Sequence, residues 1–77
     1  MAGIKYEISK EIGVISERKG WVKKLCLISW NNRPLKYDIR EWATEPDEDG
    51  EIHMGKGITL SKEEMKTIVE LLKEEEL

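Results

Sequence analysis

The sequence is poor in the residues that cross-link small domains or carry out catalysis. Its 77 residues include one cysteine, one histidine and no phenylalanine. A lone thiol excludes an intrachain disulfide framework. The lack of a leading apolar segment and of any long apolar run predicts a cytosolic protein without membrane attachment.

Catalytic and metal-binding patterns are also missing. His53 is the only histidine, and no nucleophile follows it at a recognisable spacing. Cys26 lies among aliphatic residues, which is typical of a buried and unreactive thiol. The acidic stretch 45–51 lacks the order of calcium ligands in an EF-hand. We therefore expect no enzyme, no metal site, no cofactor and no small-molecule substrate.

The length of the chain predicts one domain, 1–77. A chain of this size buries only about 60–65% of the surface that its unfolded form exposes, so we expect a partner to contribute to stability. Charged residues make up 38% of the sequence. The apolar residues between them are strongly periodic, which favours an ordered domain over a disordered one.

Positive charge is concentrated in one part of the sequence. The stretch from Arg18 to Trp42 contains seven of the thirteen basic residues and all three tryptophans, but only two acidic residues. The remaining residues carry six basic and fourteen acidic groups. Cations beside aromatic rings favour a flat anionic ligand, and single-stranded nucleic acid is the first hypothesis.

The first half of the sequence predicts two strands. Apolar residues alternate with polar ones over 4–16, with a bulge expected around Ser9–Glu11. Residues 17–20 predict a turn that closes on glycine. Residues 21–30 are apolar on both faces in the middle, which places this strand inside the sheet or at a dimer interface.

The second half predicts two more strands and a helix. Residues 35–42 alternate cleanly, 43–52 form an acidic loop, and a short strand follows at about 57–60. Ser61 and Glu64 form a capping box, from which a helix continues to about residue 75. The fold class is therefore α+β, a twisted four-stranded antiparallel sheet followed by one C-terminal helix.

The polar face of the third strand carries the candidate binding residues. Lys36 and Arg40 are roughly 13–14 Å apart along a strand, about two steps of an extended nucleotide backbone. Trp42 shares their face and offers an indole for stacking on a base. The alternative is a solvated face on which Asp38 is the counter-ion of Lys36 or Arg40.

Other cations and tryptophans have less specific signals. Lys23 and Lys24 point to opposite faces, so at most one of them shares the face of Arg40; Lys23 is included in the candidate set. Arg33 lies in a turn, where it reaches a phosphate or is merely solvated. The apolar face on which Trp30 lies favours a place for it in the core. Trp21 is a candidate for the rim of the binding surface.

The segment Gly55-Lys56-Gly57 places a lysine between two glycines. Glycines allow close approach of the backbone to a phosphate, and the lysine supplies charge. A bulge or hairpin explains the triplet equally well.

Three blocks carry a resemblance to a known family: 29–31 (SWN), 36–42 (KYDIREW) and 55–61 (GKGITLS). Together they resemble the positive cofactor four family of transcriptional coactivators, and within it the small bacterial YdbC-like proteins. The resemblance implies a four-stranded antiparallel sheet with a helix, dimerised through the helix and sheet edges. It also implies binding of single-stranded DNA with little sequence preference, in a bacterial cytosol or nucleoid, for transcription regulation, replication or repair.

The resemblance also assigns residues to the binding site. It places Arg40, Trp42 and Lys56 at binding positions, with Gly55 and Gly57 shaping the approach to the DNA backbone. Arg33 and Lys36 stand nearest to the family's lysines before the third strand. Two other readings remain open on the residues alone: single-stranded RNA as the ligand, and a protein-interaction module that docks an acidic partner on the basic strand face.

Overall fold

The sequence folds into four consecutive strands and one helix. The computed structural model describes residues 5–75. All neighbouring strands pair antiparallel in the order β1-β2-β3-β4, which confirms the predicted α+β class. The elements are β1 (Tyr6–Arg18), β2 (Trp21–Trp30), β3 (Lys36–Ala43), β4 (Met54–Leu60) and α1 (Lys62–Glu74).

Two strands are longer than the sequence predicts. β1 was predicted to end at residue 16, but it continues to Arg18 because the connecting turn contains only Lys19 and Gly20. Gly20 adopts φ 81°, a conformation that glycine reaches without steric cost. β4 begins at Met54 and not at residue 57, since a bulge keeps its first residues paired with β3. Ile4, the predicted start of β1, lies outside the described residues.

Irregular pairing bends β1 along its length. Its register against β2 shifts after Ile8, after Glu11 and after Val14. The first shift confirms the bulge predicted around Ser9. Each extra residue increases the local bend and twist, so β1 can wrap around the strand beside it.

The strand register divides the sheet side chains into two faces, because directly opposed residues of antiparallel strands point the same way. We name each face after one residue. The Arg40 face comprises Val22, Lys24, Cys26, Ile28, Trp30, Lys36, Asp38, Arg40 and Trp42 of β2 and β3, and the Trp21 face comprises Trp21, Lys23, Leu25, Leu27, Tyr37, Ile39 and Glu41.

The Arg40 face is strongly concave. Tyr6 pairs with Trp30 at one end of β2, whereas Trp42 pairs with Val22 eight residues away. Eight residues of a straight strand span roughly 26 Å. The ring centroids of Tyr6 and Trp42 are nevertheless only 5.8 Å apart, so the sheet is curved enough to bring these two side chains into contact.

The concave side of the sheet contains the core. Cys26, Ile28 and Trp42 are exposed by 1%, 0% and 4%, and all three belong to the Arg40 face. β2 lies between β1 and β3, as its doubly apolar sequence predicts. On the Trp21 face, Leu25 and Leu27 are only partly buried.

A capping box begins the helix. The Ser61 hydroxyl accepts from the Glu64 backbone N–H at 3.0 Å, and the Glu64 carboxylate accepts from the Ser61 N–H at 2.8 Å. This confirms the predicted start, and the helix ends at Glu74. None of its described residues is buried. Within residues 5–75, no helix combines the length and apolarity that crossing a membrane requires.

The chain exposes more surface than a compact domain of its size. Its solvent-accessible area is 6339 Å² for 9.0 kDa, against roughly 4,800 Å² for a typical monomer of this mass. Its radius of gyration is 14.1 Å, against about 11.5 Å for a compact domain. The excess lies partly in apolar side chains of β1 and α1, which include Ile8, Ile12, Val14, Ile15, Val69, Leu71 and Leu72.

Candidate nucleic-acid interface

Arg40 is held by the most buried carboxylate in the described residues. Asp38 is 0% exposed and accepts from Arg40 Nε at 2.7 Å and from Nη2 at 2.9 Å. The Thr59 hydroxyl donates to the same carboxylate at 3.0 Å. The guanidinium also lies over the Trp30 ring, 5.0 Å from its centroid. Arg40 is therefore the counter-ion of Asp38, and its side chain is only 14% exposed.

Trp42 is not an open stacking surface in this structure. Its side chain belongs to the core, covered by Tyr6 across the concave face. The Nε1 atoms of Trp42 and Trp30 are both enclosed, and neither has an acceptor among the described residues. The expectation of an exposed indole beside Arg40 is thus wrong, because the alternation of β3 does not reveal that the sheet curls over this face.

The register also separates the two lysines of β2. Lys24 opposes Arg40 and shares its face, whereas Lys23 opposes Glu41 on the Trp21 face. The candidate set included Lys23, but Lys24 is the neighbour of Arg40. Lys24 Nζ forms an ion pair with the Glu11 carboxylate at 2.8 Å, so its charge is already paired.

The two remaining cations near β3 are exposed. Lys36 opens β3 on the Arg40 face, and Arg33 lies in the turn between β2 and β3. The turn is closed by the Arg33 N–H, which donates to the Trp30 carbonyl at 2.9 Å. Asn31 and Asn32 adopt positive φ there, as expected of asparagine in tight turns.

A mainly apolar groove of about 570 Å³ runs along the concave side of the sheet. β1 contributes Tyr6, Ile8 and Glu17 to its lining, and β3 contributes Trp42. Tyr6 is 38% exposed. The lining residues are Tyr6, Ile8, Glu17, Val22, Lys24, Trp42, Ala43, Thr44 and Ile52.

The Trp21 face has a different arrangement at the β1–β2 hairpin. Arg18 donates from Nε and Nη2 to the two carboxylate oxygens of Glu41, at 2.7 and 2.8 Å. The Arg18 guanidinium carbon lies 5.8 Å from the centroid of the Trp21 ring. The bonds from Arg18 hold the pKa of Glu41 below its ordinary value, and Lys23 adds to this effect.

The two glycines of β4 serve opposite faces of the sheet. A Cβ on Gly55 would lie 3.0 Å from Cζ3 of Trp21, so this glycine makes room for the indole. A Cβ on Gly57 would lie 2.0 Å from the Arg40 Cβ and 2.5 Å from the Ile39 carbonyl. Gly55 and Lys56 together oppose Glu41 in the bulge. The segment is therefore a bulge that presents an exposed lysine, and its contact with a phosphate stays a prediction.

The other chemically active groups do not form a site. Burial raises the pKa of the Cys26 thiol, which disfavours the thiolate. Asp47 accepts the backbone N–H groups of Glu51 and Asp49, and these bonds lower its pKa while they order the acidic loop. Across residues 5–75, no three His, Cys, Asp or Glu side chains are placed to hold a metal ion.

The sequence alone does not indicate a role for Tyr6, Arg18 or Lys24. Tyr6 was treated as one residue of an inward strand face, and only the curvature shows that it reaches Trp42. Arg18 falls within the stretch 17–20 that predicts a turn. Its position two residues before Gly20 places it opposite Trp21 across a two-residue hairpin, and that signal was present in the sequence.

The fold and the charge distribution together define a class of protein. An antiparallel sheet that carries aromatic rings and cations, without a catalytic cluster among the described residues, is typical of nucleic-acid-binding modules.

The particular family follows from comparison with known proteins. The family model for Transcriptional Coactivator p15 (PC4) matches residues 18–71, which include the basic stretch, the acidic loop and most of the helix. The chain belongs to this family, whose members are non-enzymatic domains that bind single-stranded DNA. A nucleic-acid-binding, coactivator-like role follows.

A bacterial relative agrees with this assignment. An uncharacterized protein of Treponema pallidum (strain Nichols) is 44% identical over 68 residues. The match covers 87% of this chain and 74% of the relative. The similarity is consistent with a bacterial branch of the family.

Proposed function

We propose that this protein binds single-stranded DNA with little sequence preference, as a homodimer. The observation that carries the proposal is the family match, which spans the whole basic stretch. The structure supports it with exposed cations on an antiparallel sheet. In the cell, the protein would act in the bacterial cytosol or nucleoid, in transcription regulation, replication or repair.

The candidate residues contribute in three ways under this proposal. Exposed cations contact phosphates, the two glycines of β4 admit neighbouring groups, and the Asp38-bound Arg40 and buried Trp42 shape the concave side. The set comprises Lys23, Arg33, Lys36, Arg40, Trp42, Gly55, Lys56 and Gly57.

Dimerisation is supported by the surface that the single chain leaves exposed. Val69, Leu71 and Leu72 of the helix are exposed by 43%, 57% and 45%, and Ile58 of β4 by 55%. The excess over the roughly 4,800 Å² of a typical monomer is about 1,500 Å², which exceeds the roughly 800 Å² that each partner buries in a standard interface. A second copy of this chain would cover these apolar side chains.

Sedimentation tests the proposed dimer. We expect a species of twice the 9.0 kDa chain mass at micromolar concentration. Leu71→Lys with Leu72→Lys should shift it toward the monomer, because each lysine would place a charge in an apolar interface. The matched control is Lys66→Gln with Lys73→Gln on the same helix. A wild-type chain that sediments only as a monomer would contradict the dimer.

Titration of labelled oligo-dT at several salt concentrations tests DNA binding. Single-strand affinity falls with salt by about 0.7 log units per log unit for each neutralised phosphate. Four or five contacts give a slope of roughly −3. A flat salt response or a preference for duplex DNA would contradict the proposal. Tighter binding of a matched RNA oligomer would reassign the ligand to RNA.

A further inference from the structure

Trp21 differs from the other two tryptophans in its place in the sheet, because it lies on the face opposite to the core. Trp42 is 4% exposed, and its Nε1 is enclosed like that of Trp30. Trp21 is partly exposed beside the hairpin turn, on the face opposite to the core. Trp30 is partly buried as well, but it packs against the core and its ring lies under the Arg40 guanidinium. Trp21 is therefore the indole that lies outside the core.

The Trp21 ring also has neighbours that restrict its position. On one side it meets Gly55, where even a methyl group would approach Cζ3 to 3.0 Å. Near the ring lies the planar guanidinium of Arg18, which is 63% exposed and held by two bonds to Glu41. A surface that is fixed before binding loses little entropy when a ligand stacks on it.

Two further cations lie beside this ring, and neither forms an ion pair within residues 5–75. Lys23 follows Trp21 by two residues on the same face, about 7 Å along the strand. Lys56 is exposed and adjoins Gly55, on which the ring packs. The carboxylate of Glu41 is the one acidic group in this cluster, and Arg18 already neutralises it.

We infer that Trp21 and Arg18 form a stacking platform for one nucleobase, with Lys23 and Lys56 contacting the phosphates on either side of it. This inference rests on the proposed function and assigns its base-stacking role to the Trp21 face. Indoles and guanidinium groups both stack on unpaired bases without selecting among them. The platform therefore suits a ligand recognised by backbone charge and base planarity, as in single-stranded DNA.

Binding of labelled oligo-dT to variants tests the platform. Trp21→Ala should weaken binding about 10-fold or more, and Trp21→Phe should recover part of the loss because a phenyl ring still stacks. The salt slope should stay unchanged in both variants, since stacking releases no counterions. Lys56→Gln should instead reduce the slope by about 0.7.

Matched controls separate the platform from general damage. Trp30→Phe removes an indole from the Arg40 face, and Lys62→Gln removes a charge from the helix; both should leave affinity unchanged. If the wild type binds oligo-dT and Trp21→Ala binds it with the same affinity, the platform is wrong but the proposed function still holds. If the wild-type chain does not bind oligo-dT, the proposed function fails first.

Fluorine NMR gives a second test that does not require Trp21→Ala to fold. Wild-type protein with 5-fluorotryptophan has one resonance for each of its three indoles, and Trp21→Phe assigns one of them. Oligo-dT should shift the Trp21 resonance more than those of Trp30 and Trp42. A larger shift at Trp42 would place the base in the concave groove and contradict the inference.

Discussion

The two faces of the sheet each contain an arginine that is bonded to a carboxylate, with equal Nε-to-oxygen distances of 2.7 Å. On the Arg40 face the arginine is 14% exposed and Asp38 0%, whereas on the Trp21 face Arg18 is 63% exposed and Glu41 21%. A buried pair fixes the structure around it, and an exposed pair adds little stability but remains within reach of a ligand. The burial of a cation therefore predicts its role better than its sequence context does.

The largest expected effect comes from breaking the buried pair. Asp38→Ala leaves the largely buried Arg40 guanidinium without its partner, and should lower the free energy of unfolding by about 3–5 kcal/mol. Urea denaturation followed by circular dichroism measures the loss. Glu41→Ala is the matched control on the other face, where water replaces the carboxylate, and its loss should be much smaller. Equal losses in the two variants would remove the distinction between the faces.

The two glycines of β4 give the next largest contrast. Gly57→Ala places a Cβ against backbone atoms of β3 and should destabilise the domain by about 1–3 kcal/mol. Gly55→Ala meets the Trp21 side chain, which can shift slightly, so its unfolding free energy should change less. Thermal melting compares the two variants. Gly55→Ala should also weaken oligo-dT binding if the position of the indole matters, whereas an unchanged affinity would show that the ring tolerates displacement.

The sequence predicted most of the secondary structure because its signals are local. Alternation located the strands, and Ser61 with Glu64 located the helix start. Alternation also placed Lys36, Arg40 and Trp42 correctly on one face. It did not show whether that face lies inside or outside, because the direction of curling depends on three bulges in β1 and on contacts between residues far apart in the sequence.

The register of β2 against β3 determines the face of the sheet on which each of the other candidate residues lies. Lys23 and Lys24 are adjacent and chemically alike, so only the pairing with Glu41 and Arg40 assigns each to its face. The same pairing places Trp21 at the end of the sheet beside Gly55. A shift of one residue would exchange the two faces, and a single sequence does not exclude such a shift.

The smallest expected effect concerns the protonation of Glu41. Because Arg18 stabilises its charged form, the pKa of Glu41 should lie below the ordinary value of 4.5. Its contribution to stability is therefore present above pH 4.5 and is lost as the pH falls through the lowered pKa. Carbon-detected NMR of the carboxylate measures this titration directly, and Arg18→Gln should return the pKa toward 4.5. The Trp21 fluorine resonance should follow the same titration in the wild type, since protonated Glu41 no longer holds Arg18 near the ring. A Trp21 signal that is insensitive to this step would mean that Gly55 alone positions the indole, and Arg18 would then have no part in the platform.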